Sequence, residues 1–203
     1  MLNDFYGELK DADNRMVKYY GISKMYEECV DKKEKSAANI LKFLIEWKTR
    51  GVTDKGLKGK RFKKNLANAL KYIKKNCTPI INKHLNSVNL EMVKKTIKDL
   101  YGILADIKGF GPTATSKILH ILFPDLFVMW DQKIIAAYKE SGKIHGTNAN
   151  LYVSFLKLMQ EQAKKYSKKH KPRFWTLKIA RKPSIPKLID EYNYLTYTKE
   201  QKI

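Results

Sequence analysis

Asp131 is the residue whose type and position most directly suggest chemistry. It follows four large apolar residues at 127–130, where an unpartnered carboxylate is costly to bury, so it either caps the next helix or takes part in a reaction. At a helix N-terminus the carboxylate stays ionised, and apolar walls such as Phe127, Met129 and Trp130 would strengthen its field by excluding water. It could then stabilise a developing positive charge or prepare a water molecule for attack. The residues alone leave both roles of Asp131 open, as a helix cap and as a catalytic group, and the two roles are compatible.

A glycine turn precedes this aspartate in the stretch LADIKGFGPTATSKIL, residues 104–119. Gly109 and Gly111 give the turn backbone freedom, and Pro112 suits the first position of the following helix. The free amides of the turn and of that helix form an anion site suited to a DNA phosphate. Phe110, between the glycines, is placed to anchor the two helices together. The predicted DNA-binding residues of this region are Lys108, Gly109, Phe110, Gly111, Thr113, Thr115, Lys117 and Lys133.

The net charge of +21, from 41 Lys and Arg against 20 Asp and Glu, is the strongest signal in the composition. Positive charges in such excess repel one another and lower the stability of the fold. The usual partner of a protein with this charge is a polyanion: DNA, RNA or an anionic membrane surface. The charge is mostly lysine spread along the chain, and lysine contacts phosphates with little base specificity. We predict nucleic-acid binding; the alternative is a compositional bias of the source genome.

Two basic stretches outside the hairpin could contact a nucleic acid. The first is 47–64, in which Arg61 and Lys63 are predicted phosphate contacts. The second is 172–182, a basic and aromatic stretch without helical periodicity, where side chains are often exposed. In it Arg173 is a predicted phosphate contact and Trp175 a predicted stacking residue.

Helical spacing of apolar residues recurs along the chain, at 37–50, 61–76, 90–104, 148–169 and 184–197. No alternating run of β-branched residues is long enough to predict a sheet. We therefore predict an all-α fold. Residues 1–203 would form one compact domain or two closely packed helical lobes, with the functional segment at 100–140.

The two cysteines, Cys29 and Cys77, are too few for a zinc or iron–sulfur site and are predicted to be reduced thiols. No stretch has the length of a membrane-spanning helix, and the N-terminus has no secretory pattern. We expect an intracellular protein of the cytoplasm or nucleoid, a monomer with no membrane association and no obligate protein partner.

Asp131 lies 22 residues after Gly109, and the intervening segments are GFGPTATSK, ILHILFPD and LFVMWDQKI. Over residues 100–140 this arrangement resembles the helix-hairpin-helix superfamily of DNA glycosylases, in which the hairpin leads to an aspartate at the start of a later helix. The resemblance implies that the chain binds duplex DNA and flips a damaged or mismatched base out of it. Asp131 would stabilise the positive charge that develops on the sugar as the N-glycosidic bond breaks. It also implies that the hairpin carbonyls could hold a monovalent cation; no other cofactor is expected.

One position departs from the family pattern. Strand-cutting members resemble one another in carrying a Schiff-base lysine two residues after the second hairpin glycine, and here that residue is Thr113. Lys117 lies four residues further along the same helical face, and Lys133 follows Asp131 by two. We expect a monofunctional glycosylase, with Lys117 as a second catalytic candidate. The four-cysteine iron–sulfur loop of some members is absent.

A flipped base must be held between flat side chains, and the predicted pocket residues are Trp47, Trp130, Trp175 and His120. Most aromatic residues of a helical protein belong to its core, and a core position is the commoner environment for a histidine such as His120. Two other functions remain open at this point. One is a non-catalytic protein that uses the hairpin only to bind DNA, and the other is a basic helical RNA-binding protein.

Overall fold

The computed structural model describes residues 36–47, 49, 60–170 and 184–199. Across these ranges the chain forms seven α-helices and no strand, which confirms the predicted all-α class. In chain order they are α1 (Ala37–Glu46), α2 (Lys60–Asn76), α3 (Leu90–Ala105), α4 (Pro112–Leu122), α5 (Gln132–Glu140), α6 (Asn148–His170) and α7 (Ile185–Asn193). A 3-10 turn (Thr78–Ile80) follows α2, and a π-helical turn (Tyr194–Lys199) follows α7.

Short polar side chains set the starts of four helices. The N-caps whose side chains accept hydrogen bonds from the amides of their own helix are Ser36, Asn89, Asp131 and Ser184. Each cap satisfies donors that the first helical turn leaves without a partner. Pro112 begins α4, where its missing amide costs nothing.

The buried apolar side chains of the described residues form one cluster to which all seven helices contribute. Helix α3 packs against α6, α4 and α2, and α1 packs against α2 and α4. The C-terminal part of the chain packs back onto this assembly, α7 against α6 and the π-helical turn against α5. No described helix is both long and apolar enough to cross a membrane.

The non-helical segment 127–130 runs through the core and leads directly into α5. Its backbone is held by side chains of two other helices: the Tyr152 hydroxyl donates to the Val128 carbonyl at 2.8 Å, and the Ser116 hydroxyl accepts from the Trp130 amide at 3.3 Å. These contacts fix where the chain emerges from the core. Asp131 is the first residue of that exit that is not fully buried.

Candidate functional site

The hairpin between α3 and α4 is a tight turn with one residue in the left-handed region. Gly109 has a φ of 93°, a left-handed conformation that favours glycine, whereas Gly111 is extended at a φ of −93°. A side chain added at Gly111 would meet nothing within 4 Å, so glycine there leaves open space on the outer surface of the turn. Lys108, Gly109 and Gly111 are exposed, and Thr113 is partly exposed. These four predicted DNA-binding residues are therefore accessible to a ligand.

Phe110 points the other way, into the protein. It is 6% exposed and meets the edge of Phe62, with the two ring centroids 5.1 Å apart. Phe110 thus fixes the hairpin to the first turn of α2, as an anchor should. It is not a DNA contact, because its side chain is inside the core.

Asp131 uses both carboxylate oxygens. Oδ1 accepts from the amides of Lys133 at 2.9 Å and Ile134 at 3.0 Å, which makes Asp131 the N-cap of α5. Oδ2 accepts from the Thr198 hydroxyl at 2.7 Å. Thr198 lies in the π-helical turn, which an edge-on contact between Tyr197 and Tyr138 holds against α5. Asp131 is partly exposed as a residue, and the three hydrogen bonds hold its carboxylate in one orientation.

Lys117 lies on α4, one turn beyond Thr113. Its ammonium donates to the Trp47 carbonyl at 3.3 Å and to the Thr49 hydroxyl at 3.1 Å, and lies 5.4 Å from the centroid of the Trp47 ring. Burial lowers the pKa of Lys117 to about 8; attraction to Asp190 and Asp131 opposes this shift, and repulsion from Lys187 adds to it. The amine is therefore much closer to neutrality than an ordinary lysine at physiological pH.

A second lysine, Lys187, was not foreseen from the sequence. It is 2% exposed, bonds Asp190 at 2.8 Å and Glu191 at 3.4 Å, and lies 4.9 Å from the same Trp47 ring as Lys117. The spacing of these charges on α7, at i, i+3 and i+4, is typical of an exposed ion-pair network. Nothing in that spacing indicates burial. A polar cluster around Lys117 and Asp131 is completed by Thr49, Thr198 and Lys187. No local sequence motif predicts this cluster.

Two predicted pocket residues lie in the core instead, and the prediction was wrong for both. Trp130 is 2% exposed, donates from Nε1 to the Pro112 carbonyl at 3.1 Å, and packs against Tyr152 and Phe155. His120 is fully buried, and its Nδ1 lies 2.6 Å from the Phe127 carbonyl oxygen. Burial lowers the pKa of His120 to about 4, with the Phe127 carbonyl opposing the shift. Neither side chain can contact a base, because both are closed off by packing.

The other predicted site residues divide by position. Trp47 is half-buried beside Lys117, whereas Lys133 is partly exposed in the first turn of α5 and Lys63 is exposed on α2. Thr115 is fully buried, so it is not a DNA contact; the packing of α4 against the core takes its side chain inward. Arg173, Trp175 and the Arg61 side chain lie outside the described residues. The structure therefore brings Asp131, Lys117 and Trp47 to one region of the protein.

In the parts of the chain that the structure describes, no three His, Cys, Asp or Glu side chains are grouped so that they could hold a metal ion. Cys77 is a buried free thiol, and Cys29 lies outside the described residues. The expected monovalent cation at the hairpin carbonyls stays a prediction.

Comparison with known proteins gives no family for this chain. No protein-family model matches it, and neither a curated protein nor a solved structure matches it. Its function is therefore inferred from the geometry of the hairpin, Asp131 and Lys117.

The burial of Thr115 makes a prediction about stability. Its hydroxyl has no hydrogen-bond partner among the described residues, and such a group costs about 1–3 kcal/mol. Thr115→Val keeps the shape of the side chain and removes the hydroxyl. We expect the free energy of unfolding to rise by about 1 kcal/mol and Tm by about 2–4 °C, measured by thermal and urea unfolding.

The neighbouring hydroxyl supplies the control for Thr115→Val. Ser116 donates to the Thr113 carbonyl at 3.1 Å and accepts from the Trp130 amide at 3.3 Å. Ser116→Ala is therefore expected to lower stability by about 1 kcal/mol. A Tm for Thr115→Val at or below that of the parent protein would show that the Thr115 hydroxyl is satisfied.

Proposed function

We propose that this protein is a DNA glycosylase that binds duplex DNA through the hairpin and hydrolyses the N-glycosidic bond of a damaged or mismatched base. The observation that carries the proposal is the combination of Asp131 and Lys117 beside the hairpin. Asp131 is a partly exposed residue with an oriented carboxylate, and Lys117 is a largely buried amine with a pKa of about 8. A carboxylate that can stabilise a cation and an amine that can accept a proton, both close to one anion-binding turn, support cleavage of a sugar–base bond in DNA.

The hairpin supports the binding part of this proposal. The turn ends at Gly111, from which α4 begins, so the first amides of α4 and its dipole favour an anion there. A phosphate can approach closely because Gly111 presents no side chain and has open space around it. Lys108 is exposed in the same turn and adds positive charge.

The chemistry follows from the two groups. As the glycosidic bond breaks, the base leaves with the bonding electron pair and the sugar becomes positively charged. The Asp131 carboxylate stabilises this charge, and Thr198 with the α5 amides holds the carboxylate in one orientation. Water then adds to the anomeric carbon and loses a proton, which we assign to the neutral amine of Lys117. The departing base takes up a proton from solvent water and is released as the free heterocycle, and the sugar remains in the strand with the added hydroxyl.

Trp47 is the predicted pocket residue that fits this arrangement. It is half-buried, and the ammonium groups of Lys117 and Lys187 lie within 6 Å of its ring. A flipped base held against this indole would lie next to the amine that takes the proton. We propose an intracellular monomer with duplex DNA as its partner and no obligate protein partner.

The test is to incubate the purified protein with duplexes that each carry one modified or mismatched base. Released base and strand breaks, with and without alkali, are then scored. Base release followed by breaks only after alkali is the expected result. Breaks without alkali that borohydride traps as a protein–DNA adduct would make a lysine the nucleophile instead of the proton acceptor. If no base is released from any duplex of a broad panel although the duplexes bind tightly, the catalytic proposal is wrong.

A second candidate is a non-catalytic DNA-binding protein, and one observation favours it. Among the described residues, two amides of α5 and the Thr198 hydroxyl donate hydrogen bonds to Asp131, which is sufficient to explain the residue as a helix cap worth about 1 kcal/mol. This candidate leaves the low pKa of Lys117 without a role. Tight binding of duplexes without base release is its distinguishing result. Preference for single-stranded RNA over duplex DNA would instead favour the basic RNA-binding alternative.

A further inference from the structure

Helix α2 has a charge distribution that its own stability explains only at the C-terminus, where Lys74 and Lys75 complement the helix dipole. From residue 55 to residue 90 the sequence has ten Lys and Arg and no Asp or Glu, and α2 lies within this stretch. Its first turn contains Lys60, Arg61 and Lys63 and no acidic residue. Positive charges at a helix N-terminus oppose the helix dipole and destabilise the helix. Lys71 and Lys75 add a like-charge pair at i and i+4, which is also unfavourable.

These lysines lie on one side of the helix. The buried residues of α2 include Phe62, Leu66, Ala69 and Ile73. At 3.6 residues per turn, the exposed lysines project from the opposite side. They form what we call the α2 lysine face: Lys63, Lys64, Lys71, Lys74 and Lys75.

Within residues 36–47, 49, 60–170 and 184–199, the α2 lysine face has no neutralising partners of the kind that neighbouring surface lysines have. On α3, Lys95 bonds Asp99 at 2.8 Å and Lys94 lies 3.7 Å from Glu91. Lys157 on α6 also pairs with Glu91. Among the residues that the structure describes, no carboxylate pairs with any lysine of the α2 lysine face. Within the described part of the chain, this charge is therefore not neutralised by an ion pair.

The α2 lysine face begins beside the hairpin. Phe62, in the first turn of α2, packs against Phe110 of the hairpin at 5.1 Å, so Lys63 and Lys64 are at the hairpin end of the helix. Lys64 and Lys75 are eleven positions apart, which is three turns and about 16 Å along the axis. One strand of duplex DNA carries about five phosphates over that length. The face therefore has the length and the sign of charge to follow a phosphate backbone away from the hairpin.

We propose that the α2 lysine face is a second phosphate-binding surface, which holds the backbone of the same duplex that the hairpin binds. This inference rests on the proposed function for the identity of the duplex. It assigns most of the non-specific affinity to α2 and leaves the positioning of the strand to the hairpin. Like-charge repulsion within α2 is then relieved in the complex, because each bound phosphate neutralises a lysine.

The test compares two triple variants that remove the same charge. Lys64→Gln, Lys71→Gln and Lys75→Gln together remove three of the five positive charges of the α2 lysine face. Lys94→Gln, Lys95→Gln and Lys157→Gln together neutralise surface lysines that are already ion-paired. Duplex affinity is measured by fluorescence anisotropy at several salt concentrations between about 50 and 200 mM. Far-UV circular dichroism and Tm verify that both variants are folded.

We expect the salt dependence of duplex affinity to change in the α2 variant much more than in the control variant. The slope of log affinity against log salt should become shallower by about 3 in the α2 variant, because each substituted lysine that bound a phosphate reduces the slope by about 1. In the control the slope should change by less than about 1. The Tm of the α2 variant should not fall, because repulsion between the lysines of α2 is removed.

Equal changes of slope in the two variants, or an unchanged slope in the α2 variant, would overturn the inference. Stronger competition by single-stranded RNA than by unlabelled duplex would also overturn it.

Failure of this inference can be separated from failure of the proposed function. If the wild-type protein releases no base but the two triple variants differ as expected, the glycosylase proposal fails and the α2 surface stands. If base is released but the two triple variants do not differ, the α2 surface proposal fails and the glycosylase proposal stands. A wild-type protein that does not bind duplex DNA overturns both.

Discussion

Asp131→Asn is expected to reduce base release by about 100-fold or more while duplex affinity stays unchanged. Removal of a preorganised electrostatic contact to a transition state costs a factor of this size. The fold should persist, because asparagine is as good an N-cap as aspartate and its amide oxygen can keep the bonds to the Lys133 and Ile134 amides. Its amide nitrogen can donate to the Thr198 hydroxyl oxygen, which now accepts. The measurement is single-turnover base release alongside duplex binding.

Asp99→Asn is the matched control for this substitution. Asp99 is an exposed carboxylate on α3 that pairs with Lys95 at 2.8 Å, so the change removes the same charge from a residue outside the proposed site. We expect base release at the parent rate. If Asp131→Asn also releases base at the parent rate, Asp131 is a helix cap and nothing more.

Lys117→Met is expected to lower base release by about 100-fold and to change its dependence on pH. Burial lowers the pKa of Lys117 from 10.5 to about 8, so about a tenth of the amine is neutral at pH 7 and half at pH 8. The neutral form accepts the proton of the attacking water, so the parent rate should rise as pH increases through about 8 and then level off. The variant should show no such rise. Single-turnover rates from about pH 6 to 9 measure both effects.

Two further variants test whether the effect belongs to the Lys117 amine. Lys117→Arg keeps the positive charge but cannot lose it, so it should be as inactive as Lys117→Met. Lys133→Met removes the other lysine near Asp131, which is partly exposed, and should keep the pH profile of the parent. A rate that falls as pH increases through 8 would mean that the ammonium, and not the amine, is the active form. Loss of the profile in Lys133→Met would transfer the role to that residue.

The features that the sequence predicted well are those set by local chemistry. The helix spacing, Pro112 at the start of α4 and Asp131 as the cap of α5 each depend on residues within a few positions of one another, and the structure confirms all three. The anchoring role of Phe110 is confirmed and is also set locally. Exposure of this large apolar side chain to water would be unfavourable, so it turns inward between the two glycines.

The sequence predicted less well wherever burial depends on distant elements. Trp130 and His120 are predicted to line a pocket for a flipped base, but α6 packs over Trp130 and the 127–130 segment closes off His120. Lys187 and Thr198 were missed because they reach the site from the C-terminal part of the chain, more than fifty residues beyond Asp131. No local sequence pattern predicts which side of α7 contacts Trp47.

The most direct measurement of the central claim does not need the identity of the damaged base. Duplexes are prepared with one abasic-site analogue, either a cationic pyrrolidine or a neutral tetrahydrofuran, and the affinities of wild type and Asp131→Asn are compared. The pyrrolidine places a positive charge where the sugar becomes charged, so it imitates the transition state. We predict that the wild-type protein binds the cationic analogue at least about tenfold more tightly than the neutral one, and that Asp131→Asn loses this preference. Equal affinity of the wild-type protein for the two analogues would contradict the assignment of Asp131 as the group that stabilises the sugar cation.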